Sequence, residues 1–122
     1  MRTALLLIAH GSRVENANED LRELARHLEA TSSYPIVEPC YLELAEPDIF
    51  SGGRRCVERE AERVILLPYF LSAGIHVYRD LSAARQALCE AYGDAEFILA
   101  QPIGRHPKMS EIVLDRAREA DA

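Results

Sequence analysis

The sequence predicts an α/β fold, a three-layer sandwich in which a four-stranded parallel sheet is flanked by helices. Three observations carry this expectation. A strand-like apolar run followed by a helix-like stretch recurs four times along the 122 residues, the pattern of a parallel sheet joined by right-handed crossovers. The first run, Thr3 to Ala9, is apolar almost throughout, as befits a strand covered on both faces. Hydrophobic residues make up 48% of the chain and charged residues 28%, the composition of a globular protein and not of a disordered one. A chain of this length is expected to form one domain, 1–122, burying roughly 65% of its unfolded surface.

Each element follows from its local pattern. After Thr3 to Ala9, Ser12 can cap a helix, with Glu15 completing a capping box. Val14, Ala17, Leu21, Leu24, Ala25 and Leu28 then fall along one helical face. The second run, Ile36 to Leu44, contains Pro39, which lacks a ladder donor and points to an edge strand. Its helix is expected to begin at Pro47, a favoured first-turn residue. Gly52 and Gly53 lie inside that helix, each at a cost of roughly 1 kcal/mol against alanine. The third run, Arg63 to Leu71, is the most hydrophobic. Val77, Leu81, Ala84, Leu88 and Ala91 repeat at intervals of four and three, and Gly93 follows as a C-cap. The fourth run, Glu96 to Ala100, leads through Pro102 and Gly104 to a last helix carrying Met109, Ile112, Val113, Ala117 and Ala120.

Charge and composition narrow the function. The net charge is −6, which argues against nucleic acid or an anionic membrane as partner. The longest apolar run, Ala4 to Ala9, is too short to cross a bilayer, and the first residues do not read as a secretion signal. A cytoplasmic location is therefore expected. Cys40, Cys56 and Cys89 are odd in number and lack Cys-x-x-Cys spacing, so they read as small core residues, not a disulfide framework or thiolate metal site.

Ligands of open parallel sheets bind beyond the carboxyl ends of the strands. His10, Glu43 and His76 are expected at that edge, from three separate loops. Two imidazoles and a carboxylate suit divalent iron, cobalt, nickel or zinc and leave coordination positions open. Other readings stand beside this one. Either histidine can be structural, Ser12 can be only a helix cap, and Glu46 can serve the second helix through its dipole. His27 reads as a solvated surface residue and His106 as a residue that opens the last helix. Arg13, Arg79 and Arg105 fall in loops at the same edge.

Three segments then resemble a known family: Leu6 to Arg13 (LLIAHGSR), Tyr41 to Pro47 (YLELAEP), and Leu67 to Val77 (LPYFLSAGIHV) with Asp80. Together they are similar to the small CbiX-type sirohydrochlorin chelatases, class II chelatases of tetrapyrrole biosynthesis that include cobalt, nickel and iron enzymes. The resemblance implies a single chelatase-like lobe that pairs as a homodimer. It implies no organic cofactor, with a divalent metal (Co²⁺ first, Fe²⁺ or Ni²⁺ otherwise) as substrate beside the tetrapyrrole. It places the metal on His10, Glu43 and His76, with His10 or Glu43 accepting a proton from the macrocycle. The tetrapyrrole is expected against Ser12, Arg13, Glu46, Leu71, Ser72, Ala73, Gly74, Ile75 and His76. Ala73 stands where some relatives carry a histidine. Three rival readings are a non-catalytic divalent-metal delivery module, a histidine phosphatase and a response-regulator-like signalling domain, the last disfavoured because no acidic pair ends the first strand. The second is disfavoured because Ala9, not arginine, precedes His10.

Overall fold

A computed structural model describes residues 1–121. The four apolar runs form strands β1 (Thr3–Ala9), β2 (Ile36–Tyr41), β3 (Arg63–Pro68) and β4 (Glu96–Leu99), and the stretches after them form helices α1 (Glu15–Thr31), α2 (Ile49–Glu58), α3 (Ile75–Ala91) and α4 (Lys108–Asp121). The sheet is wholly parallel with order β2-β1-β3-β4. β1 is central and buried along nearly its whole length. β2 is an edge strand, as Pro39 requires.

Alternation along β1 divides the core. Ala4, Leu6 and Ile8 face α2 and α3, together with Val64, Leu66, Phe97, Leu81 and Leu88. Leu5 and Leu7 face α1, with Leu21, Ala25, Val37 and Tyr41. The chain steps one way from β1 to β2 and the other way from β2 to β3, so right-handed connections put α1 and α2 on opposite faces. Ile8 is level with Cys40 on one side and Pro68 on the other. The strand ends are thereby aligned, and the loops that follow emerge side by side.

The Gly52–Gly53 pair has a packing reason. A Cβ at Gly52 would lie 2.8 Å from the Cβ of Cys40 and 2.9 Å from Cδ1 of Leu6. One at Gly53 would lie 2.6 Å from Cδ2 of Leu88. The two glycines bring α2 against both the sheet and α3, and this close packing offsets their poor helix propensity.

Several boundaries differ from expectation. β2 stops at Tyr41, not Leu44, because Leu44 takes a left-handed φ of 65°. β3 stops at Pro68 and the chain bends before Leu71. Pro47 lies outside α2. Asp48 is the N-cap, its Oδ1 accepting from the Ser51 N–H at 2.8 Å, while the Pro47 carbonyl accepts from the Tyr41 N–H. The Ser12–Glu15 capping box does not form. Val14 is the N-cap, Ser12 Oγ accepts from the Val14 N–H, and Glu15 pairs with Arg22. Val14 is exposed and not on the core face. Tyr92 caps α3 in place of Gly93. The largest difference is α4, which buries none of its residues: Ile112 and Val113 remain 50% and 62% exposed. The half of the sheet beyond α1 is likewise thinly covered, with Ile98 36% exposed.

Candidate functional site

The sheet order reverses between β1 and β3, and in open α/β sheets the crevice above such a switch point is where ligands bind. His10 follows β1 and Phe70 follows β3, each two residues beyond the paired Ile8 and Pro68. Their rings meet across the crevice with centroids 4.5 Å apart and planes tilted by 34°. Phe70 is almost buried while His10 is exposed, so one face of the imidazole rests on an apolar support and its nitrogens reach solvent.

The loop after β2 is fastened to the loop after β1. Leu42 N–H donates to the Ala9 carbonyl at 2.9 Å and Glu43 N–H donates to the His10 carbonyl at 3.1 Å. Gly11 makes this approach possible. Its φ is +93°, and a Cβ there would lie 1.7 Å from the Glu43 carbonyl oxygen, an overlap no side chain survives. Gly104 does the same for the loops after β3 and β4, where a Cβ would lie 1.5 Å from the Leu71 carbonyl oxygen. The four loops at this edge thus form two joined pairs, linked through the His10–Phe70 contact.

Asn18 is a positioning residue that sequence reasoning missed. It is buried in the first turns of α1. Its side chain accepts from the Ser12 N–H at 2.9 Å and donates to the Ser12 carbonyl at 2.8 Å. The Tyr41 hydroxyl donates to the Asn18 carbonyl at 2.6 Å, and burial, the largest influence, raises the pKa of that phenol. The signal was present: Asn18 lies three and seven residues before Leu21 and Ala25 on the buried stripe, and a polar side chain there must find partners.

The expected site residues fall into three places. His10, Glu43, Arg13 and His76 are exposed at the carboxyl edge, but among the described residues no three His, Cys, Asp or Glu side chains lie close enough together to hold a metal. Leu71, Ser72 and Ala73 line a cavity of about 610 Å³ between the loops after β3 and β4. Gly74, Ile75 and His76 are exposed beside it and do not line it. Glu46 is separate, on a groove along the β2 edge with Arg22, Arg55 and Arg59. The cavity also takes in Arg105, one of the arginines expected at this edge, together with His106, Tyr78 and Gln101.

The family model for CbiX matches residues 4–120. The chain belongs to the CbiX family. A chloroplastic sirohydrochlorin ferrochelatase of Arabidopsis thaliana is 32% identical over 112 residues, which is 92% of this chain and 50% of that protein. A sirohydrochlorin cobaltochelatase of Sulfolobus acidocaldarius is also 32% identical, over 95% of this chain and 90% of its own length. Among solved structures, the sirohydrochlorin chelatase SirB of Bacillus subtilis subspecies spizizenii, in complex with cobalt, superposes with a TM-score of 0.88 at 28% identity. That match covers 98% of this chain and 51% of the other. This CbiX-family chain therefore spans half the length of two of these relatives and nearly all of the third. Its four-stranded parallel sheet with helices on both faces is the chelatase α/β fold.

Proposed function

We propose that this chain is a sirohydrochlorin chelatase that inserts Co²⁺ in cobalamin biosynthesis, with Fe²⁺ insertion for siroheme, or Ni²⁺ insertion, as the alternative. The observation that carries the reading is the position of His10, Glu43 and His76 beyond the carboxyl ends of β1, β2 and β3 in a CbiX-family chain, the first two on loops and His76 in the first turn of α3. The Sulfolobus relative, 32% identical, is named a cobaltochelatase, which supports the cobalt reading, and the equally identical Arabidopsis relative is named a ferrochelatase, which keeps iron as the alternative.

Insertion requires loss of hydration water from the ion and of two pyrrole N–H protons from the macrocycle. Exposed imidazole and carboxylate donors on separate elements would hold a divalent ion weakly once brought together on it, leaving positions open for the incoming ring nitrogens. As those nitrogens displace the protein ligands, neutral His10 or ionised Glu43 accepts a departing proton. Phe70 fixes the plane of the His10 ring, and the Gly11 contact fixes its distance from Glu43. Ser12, Arg13, Glu46 and the stretch Leu71 to His76 are assigned to the tetrapyrrole, with Arg13, the backbone N–H groups of Leu71 to Gly74, and Arg79 or Arg105 offsetting its carboxylates.

A homodimer completes the cleft. Two features support it: the exposed apolar residues Ile112, Val113 and Leu114 of α4, and the half-bare sheet face around Ile65, Leu67 and Ile98. On that face the Nε of Arg63 is buried without a partner. A second copy would cover both surfaces at once. Sedimentation velocity should give a dimer, and Val113→Glu should give a monomer; a wild-type monomer at tens of micromolar would refute it. The three free cysteines agree with a reducing, cytoplasmic setting.

The deciding experiment is anaerobic absorbance kinetics of sirohydrochlorin with Co²⁺, Fe²⁺ or Ni²⁺, beside a His10→Ala, His76→Ala double variant. Insertion above the uncatalysed background, lost in the double variant, establishes the activity and ranks the metals. Metal binding without acceleration for any ion would favour a delivery module.

A further inference from the structure

We infer that Arg105 and His106 form a carboxylate-binding subsite at the mouth of the cavity between the loops after β3 and β4. The inference rests on the chelatase reading for the identity of the ligand, but its evidence is the cavity itself. The chain carries 20 acidic residues against 14 basic ones, yet no aspartate or glutamate lines this cavity. Its titratable side chains are Arg105, His106 and Tyr78, with Gln101 as a further polar group, set against an apolar wall that includes Leu71 and Leu81. In a protein of net charge −6, an acid-free cavity bearing an arginine and a histidine is a local reversal of the field. Its volume of about 610 Å³ is ample for part of an organic ligand, within the usual range of roughly 300–1,000 Å³ for small-molecule sites.

Two devices fix the backbone that carries both side chains, and a third fixes the His106 ring. Gly104 presses directly on the Leu71 carbonyl, so the loop cannot lift from its neighbour without losing that packing. Arg105 adopts φ of 64°, a conformation that costs a non-glycine residue roughly 1–2 kcal/mol and that clusters at ligand-binding positions. His106 Nδ1 accepts from the Lys108 N–H at 3.1 Å, which assigns the proton of the neutral ring to Nε2 and leaves that atom as a donor. Among the described residues Arg105 makes no ion pair, so its guanidinium is free to receive a carboxylate in a two-pronged grip. The ligand class is an apolar or aromatic body bearing carboxylate arms, which is the chemistry of the proposed tetrapyrrole. One arm would be held here while the ring approaches His10 past Phe70.

Steady-state insertion with Co²⁺ and sirohydrochlorin tests this in the full chain. Arg105→Asn removes the charge with a residue that tolerates positive φ, and the variant should fold at least as stably as wild type. Its KM for the macrocycle should rise about ten- to hundredfold, the range for loss of a charge-assisted hydrogen bond, with the loss falling on KM and not on kcat. Arg105→Lys should recover part of it. His106→Asn, whose side-chain oxygen can still accept from the Lys108 N–H, should raise KM to a smaller extent. Raising the salt should weaken wild type more than Arg105→Asn. A KM within twofold of wild type for Arg105→Asn, while wild type inserts metal normally, overturns the subsite and leaves the chelatase reading intact. An equal KM increase in Arg54→Ala, on the exposed face of α2, would trace the effect to net charge and also overturn it. No insertion or macrocycle binding by wild type overturns the chelatase reading, and the subsite with it.

Discussion

Gly11→Ala should uncouple the two halves of the metal edge. Alanine at φ +93° carries roughly 1–2 kcal/mol of backbone strain. The larger effect is steric, because the added Cβ would fall 1.7 Å from the Glu43 carbonyl oxygen, about half a normal contact distance. Backbone on both sides prevents relief by a rotamer change, so the loops must separate by an ångström or more. The hydrogen bond from Glu43 N–H to the His10 carbonyl is then lost or weakened, at about 1 kcal/mol. Together these should lower the unfolding free energy by about 2–4 kcal/mol, read from urea denaturation. Displacement of His10 relative to Glu43 by that distance should slow insertion by about a hundredfold. Gly74→Ala is the matched control for the stability measurement. Gly74 has φ of −70° and open space where the Cβ would go, so alanine should stabilise slightly, by about 0.4–1 kcal/mol. Gly11→Ala with wild-type stability and insertion within twofold of wild type would refute the view that the paired loops set the site geometry.

Other outcomes follow from the packing and titration chemistry. Leu88→Ala, at a fully buried position, should cost about 2–5 kcal/mol. Gly53→Ala alone should destabilise by about 1–3 kcal/mol through overpacking against Leu88, and in the double variant the two losses should fall short of additive by at least about 1 kcal/mol in a urea double-mutant cycle. Asp48→Ala should cost about 1 kcal/mol by removing the α2 cap. Hydrogen bonds from the Ser51 backbone and hydroxyl hold the Asp48 carboxyl below its ordinary value. Its contribution is therefore complete above the unfolded carboxylate pKa of about 3.9 and is lost as pH falls through the lower folded value. The stability difference between wild type and Asp48→Asn should accordingly shrink below about pH 4. Burial pushes the Cys56 thiol up to about 12 and the Cys40 thiol well above its ordinary value. At pH 8 a thiol reagent should modify only Cys89 quickly in the native protein, and all three cysteines in denaturant; rapid native labelling of Cys40 would contradict its burial.

Much of the architecture was legible because hydrophobic period and strand length determine it. The run at Thr3–Ala9 could only be a central strand, and Pro39 placed its strand at an edge. The carboxyl-edge position of His10, Glu43 and His76 followed from the alternation of strands and helices alone. Boundaries were harder, because they depend on backbone conformations such as the positive φ of Leu44, which composition does not reveal. The capping box failed at Ser12 because Asn18 takes both of that residue's backbone groups, a tertiary competition invisible in the local motif. Arg105 and His106 are neighbours on the loop before α4 and were readable as residues of this edge, whereas Tyr78 comes from α3 and Leu71 from the loop after β3, so no spacing in the chain shows that they share one cavity. The apolar positions of α4 were readable as a stripe, but a stripe carries no statement of what covers it.

The burial of Cys40 and Cys56 has a consequence for metal choice. Thiolates are the softest ligands a protein owns, and at an open site they would capture Cu⁺ or Zn²⁺ ahead of Co²⁺ or Fe²⁺. Here two of the three, Cys40 on β2 and Cys56 on the inner face of α2, are sealed in the core, and burial raises both thiol pKa values and keeps them protonated. Cys89 lies near the end of α3 remote from His10, since that helix begins at the carboxyl edge and runs away from it. An ion arriving at that edge therefore meets only nitrogen and oxygen donors. Where the chain keeps its sulfur thus keeps thiolates out of any coordination at that edge.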